Sequence, residues 1–297
     1  MFEGFSIKDI PGEHDIQIHV RLKKGDGPPL LLLHGYPQTH VIWHKMAPAL
    51  ANDYTVVVAD LRGYGDSSKP AGNEGHTNYS KRAMAADMVN VMKTLGFDQF
   101  AVVGHDRGGR VAHRMALDHP DTVTHLTVLD IVPTFTLFDQ TDKAFAIGYY
   151  HWFFLAQPAP LPEKMIGADP VFFLENKMGH WSAVGAIFDD EAMSEYRRCF
   201  SDPGTIHATC EDYRAAATID LVHDGEDLTR KVTCPTLALW GEQGLMNKTF
   251  DVLQTWQDRC DNVRGHAMTC GHFLPEEAPD ETLNAIYTFL NDPQAKT

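Results

Sequence analysis

The sequence is poor in cysteine, with five in 297 residues (Cys199, Cys210, Cys234, Cys260 and Cys270) and no C-x-x-C. An odd number at wide spacings argues against a disulfide framework and predicts reduced thiols, as in a cytoplasmic protein. Positive charge is also short: 25 Lys and Arg face 40 Asp and Glu, a formal net charge of −15. Such a surface repels nucleic acid and anionic membrane, so neither is an expected partner, and an anionic small molecule must find a local cationic pocket. No apolar run approaches the roughly 20 residues of a membrane-spanning helix. The N-terminus has no basic stretch leading into an apolar one, so no signal peptide is expected. There is no H-E-x-x-H, no clustering of Cys and His, and no dinucleotide glycine fingerprint after the early strands. Neither a metal nor a cofactor is therefore expected. Internal repeats and low-complexity segments are absent as well.

What is present is the composition of an ordinary globular protein, 43% hydrophobic and 22% charged, long enough for one large domain with an insertion. The first 130 residues alternate strand-like and helix-like stretches. "DIQIHVRL" (15–22) has the period of a half-buried strand, and "PPLLLLHGYP" (28–37), "YTVVVADL" (54–61) and "FAVVGHD" (100–106) read as buried strands ending in loops. "SKRAMAADMVNVMKTLGF" (80–97) and "RVAHRMALDHP" (110–120) read as helices, and "VTHLTVLDIVP" (123–133) as a strand. This alternation predicts an α/β class fold with a mainly parallel sheet covered on both faces. The rhythm breaks after Pro133. Residues 134–224 are rich in aromatics, Pro and Met, and predict a mostly helical cap insertion. Strand pattern returns at "CPTLALWGEQG" (234–244) and a last helix is expected near 280–292. The core is thus expected at 1–133 and 225–297.

Gly104-His105-Asp106-Arg107-Gly108 has the G-x-S-x-G spacing of a nucleophile elbow with Asp in place of Ser. Such a turn lifts one side chain clear of the sheet at a helix N-terminus whose unpaired N–H groups face a developing oxyanion. Asp106 is charged at pH 7 without a base, and can attack saturated carbon to form an ester. Hydrolysis of that ester needs a base, and His272, in "MTCGHFLPEEAP", occupies the C-terminal position the elbow fold gives its histidine. The orienting carboxylate is expected after "TLALWG", but Gly241 is followed by Glu242, Gln243 and Gly244. Asp130, which closes the strand after the elbow, is favoured over Glu242.

Arg107 and Arg110 share the first turn and one face of the expected helix, where cations cost about 0.3–1 kcal/mol each against the helix dipole. An anion reverses that balance, since guanidinium groups hold carboxylates through charge-assisted hydrogen bonds. A nucleophilic carboxylate beside a carboxylate clamp points to a short acid whose leaving group sits next to its carboxylate. A haloacetate fits.

With "GHDRGGR", "HRMALDHP", "DIVPT", "HWFFLAQP", "DYRAAATIDL" and "CGHF", together with "HGYPQTH" and "DLRGYGDSSKP", the chain resembles the fluoroacetate and haloacetate dehalogenases of the α/β-hydrolase fold. The "HGYP" and "DLRGYG" stretches occur in related epoxide hydrolases too. The resemblance implies a cofactor-free enzyme with Asp106 as nucleophile, Asp130 as acid, His272 as base, and Arg107 and Arg110 as the substrate carboxylate clamp. It further implies that His151, Trp152 and Tyr213 bind the departing halide, as three potential hydrogen-bond donors. The backbone N–H groups of Tyr36 and Arg107 would form the oxyanion hole, Trp181 would shape the pocket wall, and the molecule would be a homodimer. Tyr36 stands where Phe is familiar.

Rival readings are an epoxide hydrolase with the same Asp-His-Asp machinery and, from another class, a non-catalytic receptor on the same fold. Epoxide hydrolases normally carry Trp after the nucleophile, where Arg107 stands, and a pair of cap tyrosines, which Trp152 breaks. Receptors usually lose a catalytic residue, and none is missing. An apolar haloalkane pocket is incompatible with two arginines, and an esterase calls for Ser at the elbow.

Overall fold

The computed structural model describes residues 1–183, 185–186 and 188–292. Residues 184, 187 and 293–297, which fall in the expected cap and C-terminal segments, lie outside the described residues. One eight-stranded sheet organises the chain: β1 (Ser6–Pro11), β2 (Gln17–Lys23), β3 (Pro29–Leu33), β4 (Thr55–Ala59), β5 (Phe100–His105), β6 (Val123–Leu129), β7 (Thr236–Gly241) and β8 (Val263–Met268). Their order is β1-β2-β4-β3-β5-β6-β7-β8, antiparallel at β1–β2 and β2–β4 and parallel from β4 to β8. Every residue of β4 and β5 is buried. This is why those strands appear in the sequence as unbroken apolar runs rather than alternations.

Helices α1 (Lys81–Thr94) and α2 (Arg107–Asp118) pack on the sheet. Between β6 and β7, the described residues form only helices and their connections: α3 (Thr134–Asp139), α4 (Lys143–Gly148), α5 (His151–Leu155), α6 (Leu161–Gly167), α7 (Pro170–Trp181), α8 (Asp190–Phe200), α9 (Pro203–Ala216) and α10 (Ile219–Glu226). The insertion is therefore helical, and its last helix runs two residues past the expected boundary. A final helix α11 (Pro279–Leu290) returns to the core. Among the described residues no helix is long and apolar enough to cross a membrane.

The parallel strands fix where chemistry can collect. The loops after β3, β5, β6, β7 and β8 all leave the same carboxyl edge, the usual place for ligands in such sheets. The elbow after β5 is possible only because its small residues let backbones touch. A Cβ on Gly104 would lie 2.4 Å from the Gly108 carbonyl oxygen, and one on Gly108 would lie 2.3 Å from that of His34. We expect Gly108→Ala to destabilise the protein by roughly 1–3 kcal/mol or more, because the clash is with backbone. Gly167→Ala, at a helical position with open space, is expected to leave the urea midpoint unchanged or raise it slightly. Equal midpoints for the two variants would contradict this account of the elbow.

Candidate active site

Asp106 caps the N-terminus of α2 at φ +46°, with 5% of its surface exposed. A non-glycine residue in that region is strained by about 1–3 kcal/mol, a cost tolerated where geometry is functional. The turn projects the carboxylate toward the loop after β3. There the Tyr36 N–H donates to Asp106 Oδ1 at 2.9 Å. Gly35 beside it leaves no room for a side chain, since a Cβ would lie 2.4 Å from the Asp106 Cβ.

Burial opposes the charge on Asp106. The imidazole of His272 and the guanidinium of Arg107, followed by His105 and Arg110, outweigh it and hold the carboxyl below its ordinary value.

His272 is buried in the loop after β8, with its Nδ1 2.5 Å from Asp130 Oδ2. The other carboxylate oxygen of Asp130 accepts the Gly241 N–H at 2.9 Å. Asp130, like Asp106, sits at positive φ (+51°) directly after its strand. Glu242 is exposed, and the carboxylate bonded to the imidazole is that of Asp130. Desolvation lowers the basicity of His272, but the hydrogen bond and charge of Asp130, with the charge of Asp106, raise it above the usual imidazole value.

The loop is pinned on all sides. The His272 N–H donates to the Trp181 carbonyl at 2.9 Å, and His105 Nε2 lies 2.8 Å from the His272 carbonyl. The Glu277 carboxylate accepts the N–H groups of Gly271 and Phe273 at 2.9 and 2.8 Å. The Tyr149 hydroxyl lies 3.3 Å from His272 Nδ1.

Arg107 and Arg110 are both buried. Neither pairs with Asp106 and neither points to solvent. Arg107 Nε and Nη2 grip the two carboxylate oxygens of Asp212 at 2.8 Å each, while Nη1 has no partner among the described residues. Arg110 Nη1 donates to the Val132 carbonyl and to Thr134 Oγ1, and its Nε has no partner. The Arg107 guanidinium lies 4.2 Å from the Tyr213 ring and 4.9 Å from the Trp152 ring, and that of Arg110 lies 4.5 Å from Trp152.

His151 and Trp152 open α5, and Tyr213 lies on α9. All three are buried and mutually in ring contact, at 5.2 Å for Trp152–Tyr213 and 5.4 Å for His151–Tyr213. Among the described residues His151 Nδ1, Trp152 Nε1 and the Tyr213 hydroxyl each lack a hydrogen-bond partner. Burial, then the nearby cations led by Lys177, keeps the His151 imidazole neutral. Burial, then the Asp106 charge, keeps Tyr213 protonated. The Tyr36 ring stacks on His151 at 6.0 Å and meets Tyr213 edge-on at 5.3 Å, so it lines the same space. Trp181 packs 4.5 Å from His151 and 5.6 Å from His272. On the outer side of Trp181 and Tyr149 lies a cleft of about 710 Å³.

The structure thus gathers the predicted Asp106, Asp130, His272, Arg107, Arg110, His151, Trp152, Tyr213, Tyr36 and Trp181, leaves Glu242 out, and adds Asp212, Tyr149, His105 and Glu277. Asp212 directly precedes Tyr213 in "DYRAAATIDL", but its partner Arg107 is 105 positions away, so nothing local pointed to the pair. The fold also gathers His19, His40 and Asp60, against the expectation of no clustered metal ligands. Three segments distant in sequence supply them. Both His40 nitrogens are already engaged, by Asp60 and by Arg21, and His19 Nδ1 by Asp9.

Comparison with known proteins is consistent with this geometry. A family model described as the alpha/beta hydrolase fold matches residues 28–279. The chain is 51% identical to a fluoroacetate dehalogenase of Burkholderia sp over 98% of its length and 96% of that protein's. It is 36% identical to a soluble epoxide hydrolase of Corynebacterium sp. (strain C12), over 90% and 91% of the two chains. A crystal structure of a protein from Nostoc sp PCC 7120 superimposes with a TM-score of 0.96 at 57% identity, covering 98% of this chain and 99% of that one. The sheet order, the aspartate elbow and matches of this length agree, and the chain belongs to the α/β-hydrolase fold family.

Proposed function

We propose that the protein is a hydrolase acting on carbon–halide bonds that converts short 2-haloacids, such as fluoroacetate or chloroacetate, to glycolate and halide. The observation that carries this reading is a group of buried polar atoms near Asp106 that have no hydrogen-bond partner among the described residues, among them Arg107 Nη1, Arg110 Nε, His151 Nδ1, Trp152 Nε1 and the hydroxyls of Tyr213 and Tyr36. Buried donors without partners are costly, and so many together suit an anion and a departing halide. The 51% identity to a fluoroacetate dehalogenase supports the same reading.

In this mechanism the two arginines hold the substrate carboxylate. Asp106 Oδ2, the oxygen not held by the Tyr36 N–H, attacks the α-carbon opposite the halogen. The carbon–halogen bond breaks, its electron pair leaves with the halide, and the three donors of α5 and α9 hydrate it in place of water. Water then attacks the ester carbonyl carbon of Asp106 while His272, oriented by Asp130, takes its proton. The oxyanion forms on Oδ1, held by the N–H groups of Tyr36 and Arg107. Its collapse expels glycolate, whose alkoxide takes up the proton from His272, and the Asp106 carboxyl, which now carries the water oxygen and its second proton, releases that proton to solvent to restore the carboxylate. Residues 134–224 act as the cap that excludes water from the attack and 1–133 with 225–297 as the core. Trp181 acts as pocket wall. A homodimer, suggested by the family resemblance, in the cytoplasm, suggested by the odd number and wide spacing of the cysteines, completes the proposal.

The epoxide hydrolase reading uses the same Asp106, Asp130 and His272, and the unpaired Tyr213 hydroxyl could donate to an epoxide oxygen. Two buried guanidinium groups beside the nucleophile disfavour a neutral substrate. Separate incubation with fluoroacetate, chloroacetate and styrene oxide distinguishes the two. Halide release is expected, and diol alone would overturn the proposal. Asp106→Asn should abolish turnover. His272→Asn should release about one equivalent of halide per site and then stop, leaving a mass-detectable ester on the peptide containing Asp106.

The pH dependence has a definite sign. His272 acts as base only when neutral, so ester hydrolysis rises with pH through its pKa. In the free enzyme the Asp106 charge helps hold that pKa above the ordinary value. Alkylation removes the charge, so the hydrolysis step should titrate at lower pH than His272 does in the resting enzyme. Single-turnover pH profiles set against an NMR titration of the imidazole check this, and coincident values would contradict it.

A further inference from the structure

Two cations face the nucleophile, and their surroundings differ. Arg107 is held by both oxygens of Asp212, and its Nη2 also donates to the Asp212 backbone carbonyl at 3.0 Å. The Tyr64 hydroxyl donates to Asp212 Oδ2 at 2.7 Å, and Lys81 Nζ bonds Oδ1. Lys81 Nζ also lies 3.6 Å from Asp220. All of these groups are buried. Two cations and two carboxylates make a charge-balanced quartet, so the charge of Arg107 is already compensated. Arg110 bonds only neutral oxygens, and among the described residues no carboxylate lies within ion-pair distance of it. Burial and the neighbouring Arg107 push its guanidinium down to about 10.

Arg107 is the residue next to Asp106 in the chain, and its charge already helps hold the Asp106 carboxyl down, so a guanidinium released from Asp212 has the nucleophile as a competing partner. A nucleophile tied into a two-pronged ion pair loses the lone pair it needs for attack. We propose that Asp212 is a positioning residue that keeps Arg107 off Asp106. It leaves Arg107 to offer the substrate one nitrogen, Nη1, and leaves Arg110 to supply the uncompensated charge that selects one small carboxylate. The fork of Asp212 occupies Nε and one donor of Nη2, and the Asp212 backbone carbonyl takes the other, so neither side-by-side donor pair of the guanidinium is left and only Nη1 remains. The Tyr213 and Trp152 rings against the guanidinium fix its plane. The inference rests on the dehalogenase reading for the reacting carbon but not for carboxylate binding, and the test separates the two.

Acetate, which carries the carboxylate and no leaving group, is titrated by calorimetry into wild type, Asp212→Asn and Asp212→Glu. Chloroacetate single turnover then gives chloride release and ester hydrolysis separately. In Asp212→Asn we expect acetate affinity and the chloride-release step each to fall by about tenfold or more. Ester hydrolysis should stay near the wild-type rate, since alkylated Asp106 no longer attracts Arg107. Asp212→Glu should recover most of the loss. Asp212→Asn leaves Lys81 short of a carboxylate. If it fails to fold, the double variant Asp212→Asn/Lys81→Met removes the surplus charge and carries the same expectation.

Unchanged acetate binding and chloride release in a folded Asp212→Asn would overturn the proposal. So would equal slowing of both steps with a lowered Tm that Asp212→Glu does not restore. A wild type that does not bind acetate overturns the carboxylate site and the proposal with it. A wild type that binds acetate but releases no chloride, with binding lost in Asp212→Asn, refutes the dehalogenase reading and leaves the positioning role standing.

Discussion

A carboxylate that must stay ionised while buried governs this structure. An isolated charge taken out of water costs more than the whole net stability of a domain, so it must be compensated at short range. Asp106 obtains that compensation from the Tyr36 N–H, from His272 and from two arginines. Each of these in turn needs its own partner: Asp130 for His272, Asp212 for Arg107, neutral oxygens for Arg110. The compensation spreads outward until it reaches backbone N–H groups, such as Gly241 on Asp130, and the buried Lys81 on Asp212. The chain of partners crosses the boundary between sheet and cap. The cap therefore does more than cover the site, because it contributes the carboxylate on which one of the two arginines depends.

The same constraint accounts for features that a stability argument alone would reject. Two arginines in the first turn of a helix oppose its dipole, and two aspartates at positive φ store backbone strain. Each departure places a charge where the parallel strands end. β5 delivers Asp106, β6 delivers Asp130, and the loop after β8 delivers His272, with β7 between them lending one N–H. Adjacent parallel strands are the economical way to do this, since their carboxyl ends lie side by side.

Much of the sheet was legible because burial on both faces writes itself as apolar runs in β3, β4 and β5, and the elbow was legible because only glycine fits at 104 and 108. β1 escaped because "SIKDIP" is an exposed edge strand whose residues face solvent almost throughout. Asp130 was found by its place at a strand end, a position with meaning in any open α/β sheet. Asp212, Tyr149, His105 and Glu277 were not, since each matters through a contact with a residue far along the chain. A lone Asp inside a helix carries no periodic or motif signal of the arginine it holds. The cap was readable as helical but not its register, and register decides which of its aromatic residues face Asp106.

Under the proposed function, substrate choice follows from how the positive charge is divided. A pocket with two free guanidinium groups would prefer a dianion or a long acid that can be gripped twice. Here one guanidinium is spent on Asp212 and the other is left uncompensated in an aromatic wall. The remaining field suits one negative charge. The rings of Tyr36, His151, Trp152 and Tyr213, all buried and in mutual contact, limit what can accompany it. A monoanion with its reacting carbon beside the carboxylate satisfies both limits at once. Enlarging the substrate would displace rings that hold the arginines in plane. Tolerance of bulk and recognition of charge are therefore coupled in this site, and a substitution that widens the pocket at Trp152 or Tyr213 also loosens the guanidinium groups that select the acid.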